Sequence, residues 1–264
     1  MAKKTAAVRP VVIRPGVEIY KGDCLKVLAQ LDEGCAEMVF TDPPFGHTDN
    51  GSLQQRREAV LGWQDGEGVY RDPAHHDKLI AHDGAEANEI FRAALPLMRR
   101  VLNSGCCCCC CCGGGGPDPQ FARWALWMDE AIGFKQAVVW DKGGLGMGWH
   151  YRRSYETVLV AEVPGKCRWY GHKRVENIIR PGQYGIRKVI PTDDQHPTEK
   201  PPELAKAFIV WHSKRGDTVV DPFMGAGSTG LAAMRLGRRF IGIELDPKWF
   251  DKAREKLTKE AEGK

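Results

Sequence analysis

Asp217-Thr218-Val219-Val220-Asp221-Pro222-Phe223-Met224-Gly225-Ala226-Gly227-Ser228-Thr229-Gly230 decides the fold of this 264-residue chain. Thr218-Val219-Val220 is β-branched, the composition of a buried strand. Pro222 cannot continue a ladder, and the glycines that follow permit a tight turn. Ser228 to Leu236 then reads as a helix, and Arg239 to Ile243 as a strand that ends at Glu244. Gly225, Gly227 and Gly230 satisfy G-x-G-x-x-G: the glycines let a ligand approach the backbone, and the helix start offers amide protons to an anion. Glu244 stands where an acid accepts two ribose hydroxyls. A dinucleotide would need a second binding half after this unit, and only 20 residues follow Glu244. An NAD-binding oxidoreductase therefore fits poorly, whereas a carboxylate-bearing adenosine cofactor fits the same residues.

Upstream, Ala36-Glu37-Met38-Val39-Phe40 reads as another buried strand and runs into Thr41-Asp42-Pro43-Pro44-Phe45. Two consecutive prolines forbid helix or ladder from continuing, so the chain must turn. A carboxylate, backbone carbonyls and an aromatic face are thereby held at a strand end, where open α/β sheets bind ligands. Such a turn can accept hydrogen bonds from an exocyclic amino group and stack on the ring that carries it.

Charge is mixed, with a net of +4, so any nucleic-acid surface must be local. No apolar run approaches the roughly 20 residues that span a bilayer, and no apolar stretch follows Met1-Ala2-Lys3-Lys4 as a secretory signal requires. These features predict a cytoplasmic protein. Seven of the ten cysteines, Cys106 to Cys112, are consecutive. Zinc sites need spaced pairs, and neighbouring side chains of a strand point to opposite faces. The run is therefore predicted to be a buried strand of small apolar residues, with no metal.

In chain order, residues 1–15 read as a loose basic arm and Val17 to Tyr20 as a strand. Asp23 is placed to cap a helix carrying Leu25, Leu28 and Leu31. Residues 46–84 are a polar insertion, a candidate lid. Helices are predicted at Ala85–Leu102, Pro119–Ile132, Pro201–Ser213 and Pro247–Glu260, and hairpin-like strands at Phe134–Trp140 and Tyr155–Val163. Strands that alternate with helices specify one α/β domain over 1–264, mostly parallel, with helices on both faces.

Asp42-Pro43-Pro44-Phe45, then His196-Pro197-Thr198-Glu199-Lys200-Pro201, then Asp221 to Thr229 resemble the S-adenosylmethionine-dependent amino-methyltransferases of DNA, and the β class in particular. Gly22-Asp23-Cys24-Leu25 matches as well. The resemblance covers nearly the whole chain. It implies the class I methyltransferase, Rossmann-like fold, circularly permuted so that the catalytic motif precedes the cofactor motif. It also implies a seven-stranded sheet with one antiparallel edge strand, for which the hairpin is the candidate. Phe223, Gly225 and Gly227 would line S-adenosylmethionine beside Asp221 and Ser228. Glu244 would hold the ribose, Asp23 would face the adenine end, and the stretch with His196, Thr198 and Lys200 would lead into a helix beside the methionine end. Asp42, Pro43, Pro44 and Phe45 would be the catalytic set.

An exocyclic amino nitrogen is a weak nucleophile because its lone pair is delocalised into the ring. Asp42 and the Pro43 carbonyl would draw its hydrogens out of the plane, and Phe45 would stack on a base flipped out of double-stranded DNA. Family members acting on cytosine N4 often carry Ser in place of the first Asp, so Asp42 favours adenine N6. The N4-cytosine, RNA-methylating and non-catalytic DNA-binding readings stay open, as does a homodimer. For the DNA contact, residues 164–195 are the candidate: Lys166, Arg168, Lys173, Arg174, Arg180, Arg187 and Lys188 lie there with Trp169, Tyr170 and Tyr184 between them. Basic groups neutralise phosphates and aromatics wedge between bases.

Overall fold

The computed structural model describes residues 7–45, 86–112, 120–144, 154–186 and 200–263. The insertion at 46–84, together with His196, Thr198, Arg187 and Lys188, lies outside the described residues.

Among the described residues, nine strands form one mixed sheet: β1 (Val11–Arg14), β2 (Val17–Lys21), β3 (Ala36–Thr41), β4 (Leu102–Cys112), β5 (Phe134–Asp141), β6 (Tyr155–Glu162), β7 (Ile178–Ile179), β8 (Thr218–Asp221) and β9 (Arg239–Glu244). Their spatial order is β1-β2-β9-β8-β3-β4-β6-β5-β7. Within it lie the seven strands expected from the resemblance. The two additions are edge strands. Residues 11–14 are not a loose arm, because the β-branched Val11-Val12-Ile13 pairs antiparallel with β2 around a turn at Gly16, whose φ is +80°. At the other edge, β7 lies parallel to β5. The antiparallel strand of the seven is also not at an edge, since β6 runs between β4 and β5 and opposes both.

The helices are α1 (Cys24–Gln30), α2 (Ala87–Val101), α3 (Gln120–Ala131), α4 (Pro202–His212), α5 (Ser228–Arg235) and α6 (Pro247–Ala261). One face of the sheet buries Phe208 of α4, Ala232 of α5 and Leu257 of α6. The other buries Val27 of α1, Phe91 of α2 and Trp124 of α3, with Phe91 and Trp124 stacked at 4.0 Å. The cysteine strand shows why both layers hold. Cys107, Cys109 and Cys111 join the first cluster, and Cys106, Cys108, Cys110 and Cys112 join the second. Period-two alternation thus sends one uniform run into two cores. All seven are buried and none is joined in a disulfide, as the sequence predicts.

Capping follows the sequence too. The Asp23 carboxylate accepts from the Leu25 amide at 2.9 Å to start α1. Asp246 caps α6, ahead of Pro247 in the first helical turn.

Candidate functional site

The strands β2, β9, β8 and β3 are consecutive neighbours and parallel, so their C-terminal ends open on one edge of the sheet. They deliver Asp23, Glu244, the Gly225 turn and Asp42 side by side. Past β8 the chain turns into α5 on one face, whereas β2 hands on to α1 on the other. Divergent connections of this kind leave a crevice at a sheet's switch point. A cavity of about 260 Å³ lies there.

Gly225 and Glu244 form one wall of it. Gly225 has φ +52°, and a Cβ added to it would meet nothing within 4 Å, so the missing side chain is space belonging to the cavity. The Glu244 carboxylate takes the Gly225 amide on one oxygen and the Asp246 amide on the other, each at 2.8 Å. Burial raises its pKa, while these two amide bonds pull the other way. A carboxylate has about four acceptor positions, so capacity remains for ribose hydroxyls. Asp23, Phe223 and Ser228 also border the cavity.

Two of the residues expected at the cofactor, Gly227 and Asp221, are engaged within the fold. A Cβ on Gly227 would lie 3.1 Å from Ala253 Cβ, so this glycine lets α6 approach the turn and does not face the cavity. Gly230 likewise abuts Phe240. Asp221 borders the cavity, yet its carboxylate is bonded inside the fold: one oxygen accepts from the Thr41 hydroxyl at 2.6 Å and the Phe223 amide at 3.1 Å. Burial pushes Asp221 up to about 7, against the lowering pull of the Thr41, Thr229 and Phe223 hydrogen bonds.

Asp42 forms the opposite wall with Pro43 and Pro44. Its Oδ2 accepts from Lys200 Nζ at 2.9 Å. Lys200, just ahead of α4, also lies 3.4 Å from Glu156 of β6, and Lys142 after β5 holds the other Glu156 oxygen at 2.7 Å. Burial disfavours the Lys200 ammonium, but Asp42 and Glu156 outweigh it and leave its pKa raised. Glu156 is held below the usual carboxylate range by Lys200 and Lys142 in spite of its burial. Lys200 thus borders the cavity and holds the Asp42 carboxylate. Phe45 is 6% exposed, 6.0 Å from the Trp124 ring, with Lys200 Nζ 4.9 Å from its centroid. Its ring is occupied by packing in this arrangement.

Sequence reasoning missed Lys142 and Glu156. Neither sits in a contiguous motif, and the one signal available was an acid at the start of an otherwise apolar strand. Among the described residues no group of three or more His, Cys, Asp or Glu side chains is placed to hold a metal ion. No described helix is long and apolar enough to cross a membrane.

The basic segment does not form one surface. The Arg168 amide bonds to the Gly105 carbonyl and the Gly105 amide to the Val163 carbonyl. Lys166 and Arg168 therefore lie at the start of β4, the sheet edge opposite the cavity, roughly 15–20 Å away at about 3.3 Å per strand residue. Trp169 and Tyr170 lie there as well, beside Trp211 at the end of α4. Arg180 follows β7, which pairs with the last residues of β5, so it returns to the cavity edge. It is exposed and paired with Glu176. Lys173 and Arg174 are exposed on the connection between the two.

Residues 36–255 match the family model described as DNA methylase, covering the N6 and N4 amino-methyltransferases. The chain belongs to this family. The type II methyltransferase M2.DpnII of Streptococcus pneumoniae is 29% identical over 92% of this chain and 90% of its own. Among solved structures, TTHA0409 of Thermus thermophilus in complex with S-adenosyl-L-methionine aligns with a TM-score of 0.63 at 23% identity, over 93% of this chain and 96% of its own. The cytosine-N4-specific PvuII DNA methyltransferase aligns with a TM-score of 0.63 at 18% identity, over 91% and 89%. At those identities the two structures speak for the fold alone.

Proposed function

We propose that this chain transfers a methyl group from S-adenosylmethionine to the N6 amino group of adenine in double-stranded DNA. The observation that carries the reading is the position of Asp42 across one cavity from Gly225 and Glu244, which the parallel strand ends bring together. The residues fit the cofactor: Gly225 leaves its side-chain volume to the cavity, Glu244 keeps acceptor capacity for a ribose, and Asp23 and Phe223 close the wall. TTHA0409, of like fold, was solved with that molecule bound. When bound, S-adenosylmethionine supplies a methyl group already activated on a sulfonium.

The chain's own task is to make the amino nitrogen nucleophilic. Asp42 and the Pro43 carbonyl accept its hydrogens and localise the lone pair, which is stabilisation of developing charge and needs no strong base. The cavity walls place donor and acceptor for in-line approach and exclude water. A base within a duplex is out of reach and must be flipped, at a cost of a few kcal/mol. Asp42 in the first position of the motif supports adenine over cytosine. For the DNA contact, Arg180 at the cavity edge is better placed than Lys166 and Arg168 at the opposite one.

The test is to incubate unmethylated DNA with labelled S-adenosylmethionine, digest it to nucleosides and identify the labelled one. N6-methyladenine is the expected product. N4-methylcytosine would move the target to cytosine, and label in RNA with none in DNA would overturn the proposal.

A further inference from the structure

Four charges alternate in a chain that starts at the cavity, is most buried at Lys200 and ends at the partly exposed Lys142: the Asp42 carboxylate, the Lys200 ammonium, the Glu156 carboxylate and the Lys142 ammonium, at 2.9, 3.4 and 2.7 Å. They come from the end of β3, the approach to α4, the start of β6 and the end of β5. Ion pairs taken out of water stabilise a fold little more than apolar packing of the same volume. Such a chain in the wall of the cavity calls for a reason other than stability. We infer that Lys200 is a positioning residue that holds Asp42 ionised and oriented as the amino-group acceptor, and that Glu156, backed by Lys142, holds Lys200 in place. The inference rests on the reading of Asp42 given above.

The neighbouring carboxylate shows what happens without a cation. Asp221, buried and bonded only to neutral donors, is pushed up to about 7 by burial. A protonated Asp42 would present a hydroxyl donor where the amino hydrogens need an acceptor. The titratable groups facing Lys200 include Asp42, Glu156 and Cys111 of β4. Cys111 is itself driven well above the ordinary thiol value by burial, so it stays neutral and the two carboxylates set the local field. Glu156 alone would compete with Asp42 for the ammonium. Lys142 neutralises it, which leaves it a tether and not a rival.

The experiment measures methyl transfer at saturating DNA and S-adenosylmethionine from pH 5 to 9 for wild type, Lys200→Met, Lys200→Arg, Glu156→Gln and Asp42→Asn, with calorimetric S-adenosylmethionine affinity in parallel. Lys200→Met is expected to lose about 100-fold in kcat at neutral pH. The acid limb of its profile should move up by about one to two pH units, so that part of the loss is recovered at pH 9. Glu156→Gln should cost about 10-fold by loosening Lys200, without the upward shift of Lys200→Met, because it also removes a negative charge near Asp42. Lys200→Arg should restore part of the rate, and S-adenosylmethionine affinity should stay within about threefold of wild type throughout. If Lys200→Met does not fold, Lys200→Gln and Lys200→Arg carry the same test. A Lys200→Met profile that falls evenly without moving, or a loss of S-adenosylmethionine affinity with kcat intact, overturns the inference. An Asp42→Asn variant at wild-type rate overturns the reading of Asp42 itself; an inactive Asp42→Asn beside a fully active Lys200→Met sinks the positioning role alone.

Discussion

Two neighbouring strands of this sheet end in nearly the same words. β3 runs into Asp42-Pro43-Pro44-Phe45 and β8 into Asp221-Pro222-Phe223. The strands are parallel and in contact, with Val39 opposite Val220, so Asp42 lies two residues farther past the pairing than Asp221 does. That offset separates their chemistry. Asp221 is 2% exposed and ties the Thr41 hydroxyl to the turn behind it. Asp42 reaches the cavity, where an ammonium meets it. One carboxylate braces the sheet edge and the other is presented to the cavity, and depth at the strand end decides which.

The largest effect that bears on this contrast belongs to the turn after β8. Gly225→Val should abolish S-adenosylmethionine binding by calorimetry, because a branched side chain at φ +52° both strains the backbone and fills the cavity. Gly225→Val that binds normally would detach the turn from the cofactor.

Asp221→Asn should leave methyl transfer in place and change stability with pH. Burial raises the folded-state value of Asp221 above the ordinary carboxylate value, so the acid folds without penalty below about pH 4, and stability is lost as pH rises through about 7. The Asn variant should therefore match wild type in denaturant melts near pH 4 and exceed it at pH 8, by at most about 4 kcal/mol. An equal gain at both pH values would mean that Asp221 is not protonated in the fold.

Glu244→Ala should weaken S-adenosylmethionine by about 1–3 kcal/mol through lost charge-assisted hydrogen bonds. Part of that loss comes from release of the Gly225 amide, which Glu244 holds. An unchanged affinity would remove Glu244 from the site.

The smallest effect concerns the two sheet edges. Arg180→Ala should lower the slope of log affinity for DNA against log salt by about one, and the pair Lys166→Ala with Arg168→Ala should leave it unchanged. The reverse result would move the DNA to the edge opposite the cavity.

Legibility in the sequence followed contiguity. The strand, glycine turn and helix after Asp217 could be read because each residue acts on its immediate neighbours. So could the proline turn and the Asp23 cap. The two faces of the cysteine strand follow from period two alone. The three glycines of the G-x-G-x-x-G pattern look alike in sequence, but only Gly225 borders the cavity, and the packing of Ala253 and Phe240 that claims the others is tertiary. Glu156 and Lys142 join the Lys200–Asp42 pair only because β6 and β5 lie beyond β4 in the sheet, an order no local pattern encodes. The basic segment misled for the complementary reason. Its charges are adjacent in sequence while the chain beneath them climbs from one edge of the sheet to the other.

The most direct test of the account compares single-turnover methyl transfer to DNA by Asp42→Ala and by Asp221→Asn at pH 6, with S-adenosylmethionine affinity measured on both. The account predicts that Asp42→Ala loses about 100- to 1000-fold in rate with affinity nearly intact, while Asp221→Asn stays within about 10-fold of wild type. Near wild-type transfer by Asp42→Ala would contradict it, and would reduce that residue to a cap on a proline turn.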